Sequence, residues 1–429
     1  MSKLLLKGGR VVDPANGLDD ELDVLVVDGA IAAIAPELDS EDCDALEATG
    51  MIVAPGFVDM HVHLREPGFE YKETIESGMR AAAAGGFCGI ACMPNTEPIN
   101  DHRSVTELIL DRASVHRVHV YPIGAVSVGQ RGEALAEIGE LVDAGCRAVS
   151  DDGFPVATAQ LMRKALEYTQ IFDIVVIDHC EEVSMTHGSV MHEGAVSAEL
   201  GLRGWPAAAE EITVSRDLIL ADSVGGRLHL AHLSTRGSMD LVRNAKAGGS
   251  RATCEVMTHH FSLTEEAVRH FDTNTKMNPP LRSEDDRQAI LDAIADGTVD
   301  IIATDHAPHH ADEKLLEFDH APFGIVGLET AIPLACTHLV HAGVIDVARL
   351  VEMMSTNPAR ILGVDRGGLR VDAPADITII DLDAERAVNA DTFESRSSNT
   401  PFHGTVLKGW PVATIIDGEV VYSAKESSS

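Results

Sequence analysis

Ile52-Val53-Ala54-Pro55-Gly56-Phe57-Val58-Asp59-Met60-His61-Val62-His63-Leu64-Arg65 is an apolar run that ends in two histidines and an arginine. Strand side chains alternate between faces, so His61 and His63, at i and i+2, point to the same side. Two imidazoles on one face can share a metal ion. A lone histidine at a strand end is more often a surface or capping residue. The pair therefore gains weight only from residues further along the chain.

Strand candidates recur at roughly 53–62, 88–93, 118–126, 146–150, 173–178, 227–231, 251–257 and 299–304. Helical stretches between them include 74–84, 104–113, 132–143, 158–169, 207–222 and 285–295. Eight buried strands, each followed by a helix, predict an α/β chain folded as a (β/α)8 TIM barrel. Residues 1–54 read instead as short strands with turns, including the hairpin signal Asp28-Gly29, and residues 364–429 repeat that style around Asp417-Gly418. The two ends are expected to build one small β-sandwich domain, with the barrel spanning 55–363. The tail after Ser423 is expected to be loose.

Active sites of such barrels lie at the C-terminal ends of the strands. The exits here are polar. The first carries His61 and His63, the second Asn95, the fourth Asp151-Asp152-Gly153, the fifth His179, the sixth His232 and the eighth Asp305. Singly, each has a plain explanation as a turn or helix cap. Together they predict a metal centre of imidazoles and carboxylates, suited to Zn2+ or a similar ion in a catalytic role. One or two ions fit the ligand set, and two fit it better. His61, His63 and Asp305 would hold one ion and His179 and His232 the other, with Asp152 bridging and a shared hydroxide between. Spacing to His179 favours Asp152 over Asp151 as the ligand.

The 429 residues carry a formal net charge of -35, with nine lysines against 24 arginines. That balance argues against nucleic acid and anionic membrane as partners. No apolar run of about 18 residues predicts a membrane span. Seven scattered cysteines suggest reduced thiols in a cytoplasm. An anionic substrate would be repelled at long range, so its site needs a local cation. Arg65 is the candidate; the competing reading is a surface ion pair with Glu66 or Glu70.

Asp59-Met60-His61-Val62-His63-Leu64-Arg65-Glu66-Pro67-Gly68 resembles the first signature of the dihydroorotases. Ala303-Thr304-Asp305-His306-Ala307-Pro308-His309, followed by Lys314, resembles the second. Met93-Pro94-Asn95-Thr96 and Met277-Asn278-Pro279-Pro280-Leu281-Arg282 also fit that family, part of the amidohydrolase superfamily, and the chain is most similar to its bacterial type I members. The resemblance implies reversible cyclisation of N-carbamoyl-L-aspartate to L-dihydroorotate plus water, in pyrimidine (UMP) biosynthesis. It implies a metal-bound hydroxide as nucleophile and Asp305 as general acid and base. It adds Arg65, Asn95, Asn278 and His309 as substrate contacts, with backbone contacts from Phe323 and Gly324, in a loop that could close over substrate. It also implies a homodimer and aspartate carbamoyltransferase as a partner. Many relatives bridge their metals with a carboxylated lysine after strand four, but here the next lysine is Lys164, well into a helix. The competing readings are a hydantoinase or allantoinase, and a non-catalytic partner of aspartate carbamoyltransferase.

Overall fold

The computed structural model describes residues 2–39 and 43–424. The tail beyond them lies outside the described residues. Eight parallel strands, Phe57–Val62, Phe87–Cys92, His119–Gly124, Ala148–Ser150, Val175–Asp178, Leu228–Leu230, Thr253–Met257 and Ile301–Ala303, pair in chain order. The ring closes where the first meets the eighth. Val62 bridges His306, and the His63 amide donates to the His306 carbonyl at 2.8 Å. Asp59 stitches the same seam, accepting from the His61 amide at 3.0 Å and from Thr304 Oγ1 at 2.5 Å. A carboxylate inside a core is tolerable only with such partners.

The expected strand 53–62 is two strands. Ile52–Pro55 belongs to the terminal sheet, where it pairs with Arg10 and Val11 on one side and with Ile377 to Ile380 on the other. Gly56 is the hand-over point. A Cβ there would come within 2.3 Å of Cys88 Sγ, so only glycine lets the chain pass this close to the second barrel strand. The apolar run is continuous in sequence because both sheets bury it.

Five helices form close to their expected bounds: Ile75–Ala84, Arg103–Ala113, Ala159–Thr169, Ala208–Val224 and Glu284–Ala295. Thr74 and Ser283 cap the first and last of these with capping boxes. The sixth, expected over 132–143, is confined to Ile138–Ala144. Its would-be first turn is drawn off by Asp151, which accepts from the Ser127 amide at 3.0 Å and from Ser127 Oγ at 2.5 Å, while Ser127 Oγ takes the Gly132 amide at 2.9 Å. Tertiary bonds override the local pattern there. A further helix, Arg236–Ala247, follows the sixth strand under a Thr235 cap.

The chain ends share one sheet, in the order Glu419–Ser423, Val406–Ile416, Ile377–Ala387, Ile52–Pro55, Lys3–Asp13, Leu18–Val27, Ala30–Ala35, with Asp44–Glu47 also paired to Lys3–Asp13. In place of the two sheets of the expected sandwich, the strands form this one ladder. Val24, Ile31, Val53, Ile379 and Ile415 share one apolar cluster. The two Asp-Gly turns meet, since a Cβ on Gly29 would lie 2.8 Å from the Asp417 carbonyl. Among the described residues no helix is long and apolar enough to cross a membrane. Cys88, Cys92, Cys146, Cys180, Cys254 and Cys336 are buried thiols outside any disulfide.

Candidate metal centre and active site

The strand exits converge. All the candidate residues except His61 line one cavity of about 330 Å³ at the barrel mouth, and His61 is fully buried against Asp152. Arg65, His232 and Asp305 adopt positive φ of 63°, 34° and 49°. Each such non-glycine conformation costs roughly 1–2 kcal/mol. Here it lies at strand exits, where the turn carries a side chain toward the cavity, and strain of this kind concentrates at functional sites.

His63 Nε2 lies 3.1 Å from Asp305 Oδ1, and His61 Nε2 lies 3.7 Å from the same oxygen. Asp152 sits between the histidines. Its Oδ1 is 3.4 Å from His61 Nε2, 3.4 Å from His232 Nε2 and 3.7 Å from His179 Nδ1, and its Oδ2 is 3.5 Å from His63 Nε2. At the barrel mouth two groups of the described residues have ligand atoms close enough to share an ion: His61, His63 and Asp305, and His61, Asp152 and His232. Asp151 points away into its bonds with Ser127.

Buried polar atoms nearly always find partners. His61 Nε2 and Asp152 Oδ1 are buried without a hydrogen bond and face each other. A cation between them would satisfy both, so the residues present fit a metal ion. The electrostatics agree. Burial disfavours an imidazolium at His61, yet the Asp152 and Glu255 carboxylates outweigh it and raise its pKa well above the ordinary value. At His179 burial is likewise overcome, by Asp152 and Glu181, to a value of about 10. Burial pushes the Asp152 carboxyl up, but the charge of His61 and the neighbouring His179 and His232 imidazoles hold it well below the usual range. A pocket that keeps carboxylates ionised and attracts positive charge favours a divalent cation, which displaces protons as it binds.

Three residues orient the ligands from behind. His61 Nδ1 meets Glu255 Oε1 at 2.6 Å, and Glu255 Oε2 meets His229 Nε2 at 3.1 Å. His179 Nε2 meets Glu181 at 2.9 Å, and His63 Nδ1 meets Asn95 Oδ1 at 2.8 Å. In each case the outer nitrogen is engaged and the inner one faces the cluster: His63 Nε2 meets Asp305 at 3.1 Å, His179 Nδ1 meets His232 Nε2 at 2.8 Å, and His61 Nε2 is without a partner. Asn95, expected as a substrate contact, thus also steers His63. Glu255 and Glu181 were not among the sequence candidates; their only signal was a carboxylate near a strand end. A Glu255→Gln variant should bind zinc roughly tenfold more weakly in a chelator-competition titration. Unchanged affinity would deny Glu255 this role.

Across the cavity, Arg65 Nε donates to the Pro308 carbonyl at 3.1 Å, and Arg65 Nη2 lies 3.3 Å from His309 Nε2. Glu66 and Glu70 do not pair with it: Glu66 accepts from the Ile75 amide and Glu70 from the Gly68 amide. His309 Nε2 also meets the Phe323 carbonyl at 2.7 Å, and burial beside Arg65, Lys314 and Lys72 lowers its pKa and keeps it neutral. Gly324 has both backbone groups in use, its amide to Lys276 and its carbonyl to Asn399. Asn278 Oδ1 is buried without a partner on the cavity wall. His259 and His260 are buried beyond the cavity, while His187, His270 and His341 are exposed.

A closed parallel barrel with clustered imidazoles and carboxylates at its C-terminal rim is the architecture of a metal-assisted hydrolase. Residues 50–238 match the Dihydro-orotase-like family model and residues 325–422 the Amidohydrolase family model. The chain is 54% identical to the dihydroorotase of Pelotomaculum thermopropionicum, over 98% of each protein, and 52% identical to that of Geobacter metallireducens, over 98% of this chain and 99% of the relative. It belongs to the dihydroorotase family. Among solved structures it resembles the L-hydantoinase of Arthrobacter aurescens, with a TM-score of 0.89 at 26% identity over 99% of this chain and 97% of that one. The dihydropyrimidinase of Brevibacillus agri shares the fold, with a TM-score of 0.84 at 20% identity over 98% and 95%.

Proposed function

We propose that this enzyme interconverts N-carbamoyl-L-aspartate and L-dihydroorotate with loss or gain of water, in pyrimidine (UMP) biosynthesis, using one or two zinc ions. The observation that carries the reading is the pairing of a metal-ligand cluster with Arg65 across one cavity. Dihydroorotate carries a ring amide to be attacked and a carboxylate to be gripped. Simple hydantoins lack the carboxylate. The relatives of about half identity bear the same activity in their names.

His61, His63 and Asp305 would hold one ion, His179 and His232 the other, with Asp152 between. When bound, zinc acidifies water and polarises the carbonyl under attack. The remaining steps belong to the chain. Asp305 is ionised at neutral pH: burial opposes this, but the His63 hydrogen bond and the charge of His61 lower its pKa. It can accept a proton from the attacking water and deliver it to the leaving ring nitrogen. In the cyclising direction it protonates the departing hydroxyl. Arg65, its guanidinium plane fixed by Pro308, grips the substrate carboxylate with charge-assisted bonds. Neutral His309 and Asn278 complete the polar wall. Buried thiols fit a cytoplasmic setting. Exposed Leu315, Leu316 and Phe271 by the cavity loop support a protein partner there, either a second copy or aspartate carbamoyltransferase.

Purified enzyme should interconvert the two compounds. Faster turnover of hydantoin or allantoin than of dihydroorotate would refute the substrate assignment. An Arg65→Ala variant should keep its ions while KM rises about a hundredfold or more, because a buried charge pair loses one partner.

A further inference from the structure

The segment between the terminal-sheet strands Ile377–Ala387 and Val406–Ile416 leaves that sheet and runs to the barrel mouth. There it is bound at successive residues. The Arg396 amide donates to Glu73 at 3.0 Å, and Ser397 Oγ donates to the Lys72 carbonyl at 2.7 Å. Asn399 then reaches both arms of the cavity loop. Its Oδ1 accepts from the His309 amide at 3.0 Å, and its Nδ2 donates to the Ala307 carbonyl at 3.2 Å and to the Gly324 carbonyl at 3.1 Å. Its own carbonyl accepts from the Val326 amide at 3.0 Å.

We infer that Asn399 is a positioning residue of the active site, setting the distance between the His309 and Gly324 walls of the substrate cavity. This rests on the reading of those walls as substrate contacts. Asn399 is 6% exposed, so the three backbone groups it serves have little water to turn to if its side chain is lost. Only a short carboxamide offers one acceptor and two donors from a single planar group. Aspartate would keep the acceptor but turn a charged oxygen toward two carbonyls. The arms it joins are in contact: Gly324 has φ +117°, and a Cβ there would lie 2.6 Å from Ala307 Cβ. Misplacing either arm moves the groups that hold substrate and leaves the metal ligands, which stand at the ends of the barrel strands, in place.

The test uses the full-length, zinc-loaded enzyme with Asn399→Ala and Asn399→Asp. Both should retain wild-type zinc content. KM for dihydroorotate should rise on the order of tenfold to a hundredfold, with kcat falling less. Amide hydrogen exchange should accelerate in peptides covering 307–309 and 324–326 and stay unchanged at the barrel strands. Wild-type KM, or unchanged exchange in those peptides, overturns the inference. So does an equal loss in kcat and zinc content, the mark of a general structural defect. If wild-type enzyme fails to turn over dihydroorotate, the substrate reading fails and exchange alone decides: local acceleration supports the positioning role and its absence overturns it. Should Asn399→Ala not fold, Ser397→Ala releases the neighbouring bond to Lys72. It should raise KM in the same direction, and an unchanged KM counts against the inference.

Discussion

Asp305→Asn is expected to lower kcat for dihydroorotate hydrolysis by about a thousandfold, equivalent to ~4 kcal/mol of barrier. The substitution keeps shape and an oxygen that can still face the ion cluster, so it isolates the loss of basicity. The native carboxylate is positioned for proton transfer: Oδ1 is 3.1 Å from His63 Nε2, and its pKa lies below the ordinary value despite burial. An amide cannot accept the proton of an attacking water or return one to the leaving nitrogen. Steady-state rates in both directions, with zinc content measured on the same samples, check this. A loss below tenfold at full zinc content would contradict the assigned role.

Asp152→Ala is expected to abolish turnover, as chelation should in the wild type. Among the described residues, Asp152 is the one carboxylate within 3.7 Å of ligand nitrogens from all four cluster histidines. Without it no anion bridges the two halves of the centre. The ion-free protein also loses the counter-charge for His61 and His179, whose raised pKa values depend on it. Breaking a buried charge cluster by removing one partner costs about 3–5 kcal/mol. Adding zinc should restore activity to the chelated wild type but not to the variant, and thermal unfolding without zinc should start at a lower temperature in the variant. Retained activity would mean that Asp152 is no ligand.

Much of the barrel was legible because each element writes its own period. Five helices lie close to their expected bounds, and the caps Thr74, Thr158 and Ser283 on three of them are local features. The reading failed where one stretch obeyed two masters. Residues 53–62 look like one strand because both sheets bury them, and nothing local marks Gly56 as a border except the space its missing Cβ leaves. The short third barrel helix shows the converse: its pattern suits a longer helix, but Asp151 captures the preceding residues through Ser127.

The site divides along the same line. His61, His63, Asp152, His179, His232 and Asp305 could be picked out from the chain alone, because each follows an apolar run and barrel topology brings strand exits to one rim. Their supports could not. Glu255 meets His61 across 194 residues and Asn399 meets His309 across 90, and neither pairing leaves a periodic trace. Local sequence determined which side chains stand at the mouth, since strand alternation and turn chemistry act within a few residues. Only the folded chain decided how they are aimed, since a hydrogen bond between distant segments exists only once packing has brought them together.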